Sequence, residues 1–330
     1  MATDTSNRAR IQLLASPARL SDYLAIARLD HSAKHIFIVP GVVLAYLLRG
    51  VRTDQLVDMV GLGLVVAICI ASANYVINEW LDRDSDKHHP TKSVRSAVQR
   101  VMNGKIVFVE WAGFLAVGLG CAFLAGSSMF VVACLFALQG IVYNVPPIRS
   151  KDMAYLDVIS ESVNNPLRLA IGWTMVDPTS LPPSSVILSY WFGGAFLMAA
   201  KRLSEYREIV ASHGPGLLAR YRSSFAYYSE LSLNLSCLTY SLLATSFLSI
   251  FLIKYRVEYL LLLPAVITLF VYYMAISADP GSSAQNPEKL YRERGLIFIV
   301  VALIVTFIFA TFVDLPVLET LSSQHYISLQ

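Results

Sequence analysis

The chain has 330 residues, 55% of them hydrophobic and 15% charged, with a net charge of +3 and a mean hydropathy of +0.56. A soluble domain carries about 25% charged residues, so this composition excludes an ordinary water-soluble protein and implies a surface that faces lipid. Cys69, Cys121, Cys134 and Cys237 lie in apolar runs without C-x-x-C spacing. They read as small packing residues, which excludes a disulfide scaffold or a thiolate metal site.

The segment Met1 to Arg10 is polar and lacks the apolar core of a secretory leader, so no cleaved signal peptide is expected. Residues 1–16 read as a flexible tail and 17–330 as a single transmembrane domain ending in a short tail. Residues 17–34 read as an interfacial amphipathic helix, with Leu20, Tyr23, Leu24 and Ala27 at helical spacing. His31 and His35 are four apart, but no third ligand is near them, so they read as a helix end and not as a zinc pair.

Nine apolar stretches follow, at about 36–48, 56–79, 106–125, 127–143, 154–176, 185–203, 227–253, 257–276 and 295–313. Each is near the length that crosses about 30 Å of hydrocarbon, which predicts an all-α bundle of nine transmembrane helices. Lys and Arg concentrate in the tail and in the loops after spans two, four, six and eight, whereas the opposite side carries only Arg49, Arg52, Lys254 and Arg256. That asymmetry predicts a cytoplasmic N-terminus and cytoplasmic long polar loops.

The second stretch runs into Asn78-Glu79-Trp80-Leu81-Asp82-Arg83-Asp84-Ser85-Asp86. If the helix continues, Asn78, Asp82 and Asp86 fall on one stripe, each about 6 Å further along the axis. Left alone they repel one another. A hard divalent cation relieves that repulsion, and Mg²⁺ favours carboxylate oxygens together with substrate phosphate oxygens. A solvated helix end is the plainer alternative, but carboxylates at a membrane edge are functional by default.

Further polar clusters emerge on the same side. His88-His89-Pro90-Thr91-Lys92 and Arg95 follow the acidic motif and suit a multiply charged phosphate. Tyr143-Asn-Val-Pro146-Pro147-Ile-Arg149-Ser-Lys151 ends span four in a rigid turn and holds two cations at the membrane edge. Inside span five, Asp157, Glu161, Asn164 and Arg168 are spaced to line one helix face, with Ser160 and Asn165 beside them. Facing lipid would cost such groups too much, so they line a cavity or pair internally. On the next span, Lys201 and Arg202 can hold phosphate and Glu205 can serve a second metal; a surface pair is the simpler reading. A weaker patch lies at Gln285 to Arg294. No G-x-x-x-x-G-K-[ST] loop and no G-x-S-x-G elbow occurs.

The motif from Asn78 to Asp86 and the turn from Tyr143 to Lys151 resemble those of the UbiA superfamily of intramembrane prenyltransferases, and the likeness extends from about residue 20 to 313. Two departures stand out. Arg95 is followed by Ser96 where the family usually has proline, and Lys201-Arg202-x-x-Glu205 occupies the slot of a second D-x-x-x-D motif. Both that pattern and the H-P-T-K run are similar to the branch containing decaprenyl-phosphate phosphoribosyltransferases.

The resemblance implies an integral, multi-pass protein of a bacterial cell membrane with its active site facing the cytoplasm. Its expected partners are a polyprenyl lipid, a diphosphate-bearing substrate and the bilayer; nucleic acid is not among them. The expected reaction is Mg²⁺-assisted departure of diphosphate. Asn78, Asp82, Asp86 and Glu205 are the expected metal ligands, and Asp82, Asp86, Asp157 and Glu161 the catalytic groups. Substrate-binding roles are expected of Lys92, Arg95, Tyr143, Arg149, Lys151, Asn165, Arg168, Lys201 and Arg202. Phosphoribosyl transfer to polyprenyl phosphate is the first reading and prenyl transfer to a small acceptor the second. A transporter with a midplane site is the distant alternative, disfavoured because the polar clusters gather at one membrane face.

Overall fold

In lipid, each backbone N–H and C=O must find its partner within the protein, so an apolar chain of this length resolves into helices. The computed structural model describes residues 16–87, 92–278 and 293–322. Among them the only strand-like pairing is an isolated bridge between Pro17 and Val101. The helices are α1 (Leu20–Ile26), α2 (Val39–Arg49), α3 (Leu56–Asp86), α4 (Gly104–Ala125), α5 (Ser127–Asn144), α6 (Leu156–Ser162), α7 (Asn164–Val176), α8 (Ser184–His213), α9 (Glu230–Tyr255), α10 (Leu263–Ala278), α11 (Arg294–Phe312) and α12 (Pro316–Ser322).

Six described segments are long and apolar enough to cross a membrane: α3, α4, α5, α9, Val257–Ala278 and α11. The other three expected spans take different forms. The stretch 36–48 is the short α2, entered through a 3-10 segment at Leu29–Ile38. The stretch 154–176 is divided into α6 and α7, because Pro166 has no N–H for the Ser162 carbonyl. The stretch 185–203 is the start of the 30-residue α8. The expected interfacial helix is shortened as well. It stops after Ile26, and Arg28 takes a left-handed φ of 51°. Tyr23, Ile26 and Ala27 are buried there while Leu20 and Leu24 stay exposed.

The described chain forms two compact units, Met1–Pro182 with Ser212–Tyr228, and Pro183–Ala211 with Ser229–Gln330. In the first, α7 is buried continuously from Pro166 to Val176, as a helix surrounded by others must be. Glycine sets its distance from α2. A Cβ on Gly41 would lie 2.0 Å from the Leu169 carbonyl oxygen, and one on Gly172 would lie 2.2 Å from that of Ile38. Backbones approach this closely only across small residues. At the end of this pair the Asp177 carboxylate accepts from Arg49, Thr179 and Ser180. Burial works to raise its pKa, but the hydrogen bonds from Ser180, Thr179 and Arg49 outweigh it and hold the group well below the usual carboxylate range. Asn74 of α3 fits over Gly140 of α5 and donates to the Phe136 carbonyl at 3.1 Å. Ile70, Phe136, Ile171 and Trp173 fill the core between these helices.

In the second unit, Arg256 reaches the Val313 carbonyl at 3.0 Å and Asp314 at 2.7 Å, tying the start of the 257–278 segment to the end of α11. Phe196 of α8 meets Phe270 and Tyr273 of α10 edge-on.

Gly172→Ala is expected to destabilise the protein by ~1–3 kcal/mol through overpacking. Gly61→Ala, whose Cβ meets nothing within 4 Å, should be neutral or stabilising by up to ~1 kcal/mol. Thermal unfolding in detergent compares the two; equal shifts would contradict the tight α2–α7 approach.

Candidate active site

Helix α3 continues without a break through the acidic motif to Asp86. Its last two turns carry Glu79, Asp82, Asp84 and Asp86, where the unpaired carbonyls already concentrate negative charge. Cations gather in response. Lys151 Nζ lies 2.6 Å from Asp82 Oδ1 and donates to Asn78 Oδ1 at 3.1 Å and Asn144 Oδ1 at 3.0 Å. Arg149 adds a second bond to Asp82 at 2.9 Å and holds Asp152 at 2.7 Å. Arg95 binds Asp86 at 2.8 Å and lies 3.7 Å from Glu79, which Arg28 approaches at 3.4 Å.

The single stripe expected of Asn78, Asp82 and Asp86 therefore holds only in part. Asn78 and Asp82 converge on one ammonium, whereas Asp86 turns to Arg95. A four-residue step overshoots the helical turn by about 40°, so eight residues rotate a side chain by about 80°. Among the described residues, no three acidic, histidine or cysteine side chains gather to hold a metal by themselves.

The cations are positioned by the turn after α5. It carries a cis Pro146–Pro147 bond, and Arg149 has a left-handed φ of 35°. Lys151 is buried in the one-turn segment Ser150–Asp152. Burial, foremost, and the neighbouring Arg149 and Arg222 pull the Lys151 pKa below its ordinary value, while Asp82 pulls the other way.

A second network adjoins the first. Tyr143 Oη donates to Glu161 at 2.8 Å and accepts from Arg222 at 3.0 Å, and the Tyr143 ring lies 6.0 Å from Lys151 Nζ. Arg222 also lies 3.3 Å from Asp157, which accepts from Ser224 at 3.1 Å and Tyr228 at 2.6 Å. Asp157 is 0% exposed. The face expected of Asp157, Glu161, Asn164 and Arg168 is thus distributed among several environments. Asp157 clasps residues 222–228, and Glu161 meets Tyr143. Arg168 lies 5.1 Å from the Phe136 ring and shares a small cavity with Arg28, His35 and Tyr75. Asn165 is half-buried near the start of α7.

Lys201, Arg202 and Glu205 lie on α8 in the second unit, where Arg202 donates to Glu205 at 3.0 Å. Residues 88–91, the Lys92 side chain and most of the 285–294 patch lie outside the described residues. Sequence reasoning misses Asn144, although it adjoins Tyr143 in the same turn. It also misses Arg222, Ser224 and Tyr228, which lie 65 or more positions from Asp157 and have no local signal. It passes over Glu110 on α4, whose carboxylate oxygens are buried without a hydrogen-bond partner among the described residues.

The oxygens around Lys151 Nζ test whether this site suits Mg²⁺. An ammonium stands where two carboxamide oxygens and a carboxylate oxygen converge, so the pocket selects positive charge with hard oxygen donors alone. Mg²⁺ is commonly held by one or two carboxylates, with water and substrate phosphate completing its shell. Asn78 and Asp82 fit that partial role, whereas Asp86, eight residues from Asn78, is paired with Arg95.

Comparison with known proteins agrees with this architecture. The profile of the "UbiA prenyltransferase family" matches residues 37–300. The chain is 31% identical over 170 residues to a decaprenyl-phosphate phosphoribosyltransferase of Mycobacterium tuberculosis, covering 49% of this chain and 53% of that protein. It is 29% identical over 173 residues to a protoheme IX farnesyltransferase of Geobacillus thermodenitrificans, covering 51% and 55%. The nodulation protein NoeC of Azorhizobium caulinodans is 26% identical over 177 residues, covering 53% and 55%. The chain spans about half the length of these curated relatives. A UbiA homologue from Archaeoglobus fulgidus bound to GPP and Mg²⁺ superposes with a TM-score of 0.65 at 19% identity, over 88% of this chain and all of that one. At that identity the likeness concerns the fold. With the family profile covering most of its length and the acidic motif intact at the end of α3, the chain belongs to the UbiA prenyltransferase family.

Proposed function

We propose that this protein binds a diphosphate substrate at the end of α3 and transfers the released group to an acceptor inside the membrane. The observation that carries this reading is the convergence of Asn78, Asp82 and Asn144 oxygens on Lys151, with Arg149 and Arg95 beside them. Mg²⁺, held by Asn78, Asp82 and Asp86, would neutralise charge on the departing diphosphate. Lys151, Arg149 and Arg95 hold the diphosphate oxygens, exchanging part of their carboxylate contacts for phosphate. Tyr143 and Glu161 orient the acceptor. Apolar helices exclude water, which would otherwise intercept the electrophile. Lys201, Arg202 and Glu205 remain substrate- and metal-binding candidates of the second unit, tested by their own alanine variants.

Phosphoribosyl transfer to polyprenyl phosphate is the first choice. It is supported by the 31%-identical relative named for that activity and by Lys201-Arg202-x-x-Glu205 in place of a second acidic motif. Prenyl transfer is the alternative, supported by the farnesyltransferase relative. The proposal includes nine spans with the polar loops in the cytoplasm, following the Lys/Arg asymmetry.

Labelled phosphoribosyl pyrophosphate with polyprenyl phosphate, run beside labelled prenyl diphosphate with an aromatic acceptor, separates the two reactions. Asp82→Ala and Asp86→Ala should each lower turnover at least ~10²-fold, and chelation of Mg²⁺ should abolish it; full activity in these variants ends the metal reading. Because the Lys151 pKa is lowered, its charge is lost at a lower pH than that of an ordinary lysine. The alkaline limb of the pH–rate profile should therefore move to higher pH in Lys151→Arg, and an unmoved limb assigns it elsewhere. Asp157→Ala should cost ~3–5 kcal/mol of stability by removing the buried carboxylate that pairs with Arg222 and accepts from Ser224 and Tyr228. Loss of turnover with stability intact would instead make Asp157 a group that touches substrate.

A further inference from the structure

Helix α3 has a second functional face. Ile77 and Trp80 are rotated from Asn78 by about 100° and about 160° in the same sense, so they lie across the helix from the Asn78–Asp82 stripe. There they form, with Val107, Phe108 and Trp111 of α4 and Ile141 of α5, a groove of about 350 Å³. That is the size of a small ligand pocket, and its lining residues are apolar or aromatic. Phe108 on its rim is 63% exposed, so in a bilayer the groove opens to lipid.

Its charged rim distinguishes it from a plain apolar surface. The Arg83 guanidinium lies 4.0 Å from the centre of the Trp80 ring and donates to the Trp80 carbonyl at 2.6 Å. Lys105 follows Gly104, which abuts the Trp80 indole, and Lys105 is exposed. Arg83, which also lies 3.8 Å from Asp84, and Lys105 stand at the Trp80 end of the groove, and a tryptophan beside cations at the end of an apolar groove matches the interfacial composition that meets lipid phosphates.

We propose that this groove binds an anionic phospholipid, with an acyl chain between α3, α4 and α5 and the headgroup phosphate on Arg83 and Lys105. A substrate chain whose diphosphate sits at Asn78 and Asp82 would have to cross α3 to reach it. The site is therefore separate from the reaction and stands or falls independently of it.

The test uses the full chain in phosphatidylcholine vesicles doped with brominated phosphatidylglycerol or brominated phosphatidylcholine, read by tryptophan quenching. The groove component is the part of the quenching lost in Trp111→Phe. Phosphatidylglycerol should quench it at a lower mole fraction, by about five-fold for each cation. Lys105→Glu, on an exposed position, should remove at least that five-fold preference, and Gly104→Leu should weaken quenching by both lipids. Equal quenching by the two lipids, or a preference unchanged in Lys105→Glu, would overturn the proposal in favour of boundary lipid. Relief of quenching by polyprenyl phosphate but not by unlabelled phosphatidylglycerol would overturn it in favour of a substrate-chain groove.

Discussion

The end of α3 is where the structure is most constrained. A helix terminus that already exposes carbonyl oxygens carries four carboxylates within eight residues, Glu79 to Asp86. Such a terminus is stable only if positive charge comes to it. Arg28, Arg95, Arg149 and Lys151 come from three separate segments, which docks the residues after α1, the turn after α5 and the segment after the motif against one helix end. The feature that stores the potential for catalysis also organises the fold around it. Breaking one of these pairs leaves a charge without its partner, so the proposed role of Asp82 in the reaction coincides with a structural one.

The turn that delivers Lys151 and Arg149 depends in turn on a more distant element. Arg222 braces Tyr143 and the Lys151 carbonyl while Asp157 and Ser224 hold Arg222, and Tyr228 in turn donates to Asp157. The carboxylate of Asp157 is fully buried in these contacts, whereas Glu161, joined to Tyr143, stays half-buried at the edge of the candidate site. The two faces of α3 then divide the labour. One carries the oxygen donors and the other lies against apolar and aromatic side chains at the lipid surface.

Much of this was legible in the residues. Hydropathy marked six described spans, and their bounds differ from the expected ones by a few residues, apart from α3, which runs on through its charged motif. The i, i+4 spacing of Asn78 and Asp82 placed them together, and the Pro-Pro turn pointed to Arg149 and Lys151. The extension of that stripe to Asp86 went too far because small angular errors accumulate along a helix. The single face drawn through span five failed at Pro166, whose missing N–H divides it into α6 and α7.

The sequence by itself determined the medium, the helical class and the spacing of the acidic motif, because composition and short-range spacing act locally and do not depend on how the chain returns on itself. Tertiary structure alone decided which cation answers which carboxylate, that Arg222 and Tyr228 complete Asp157, and that Gly41 and Gly172 let α2 and α7 touch. Those choices join residues far apart in the chain. Charge and close packing depend on distance in space, which no local pattern encodes.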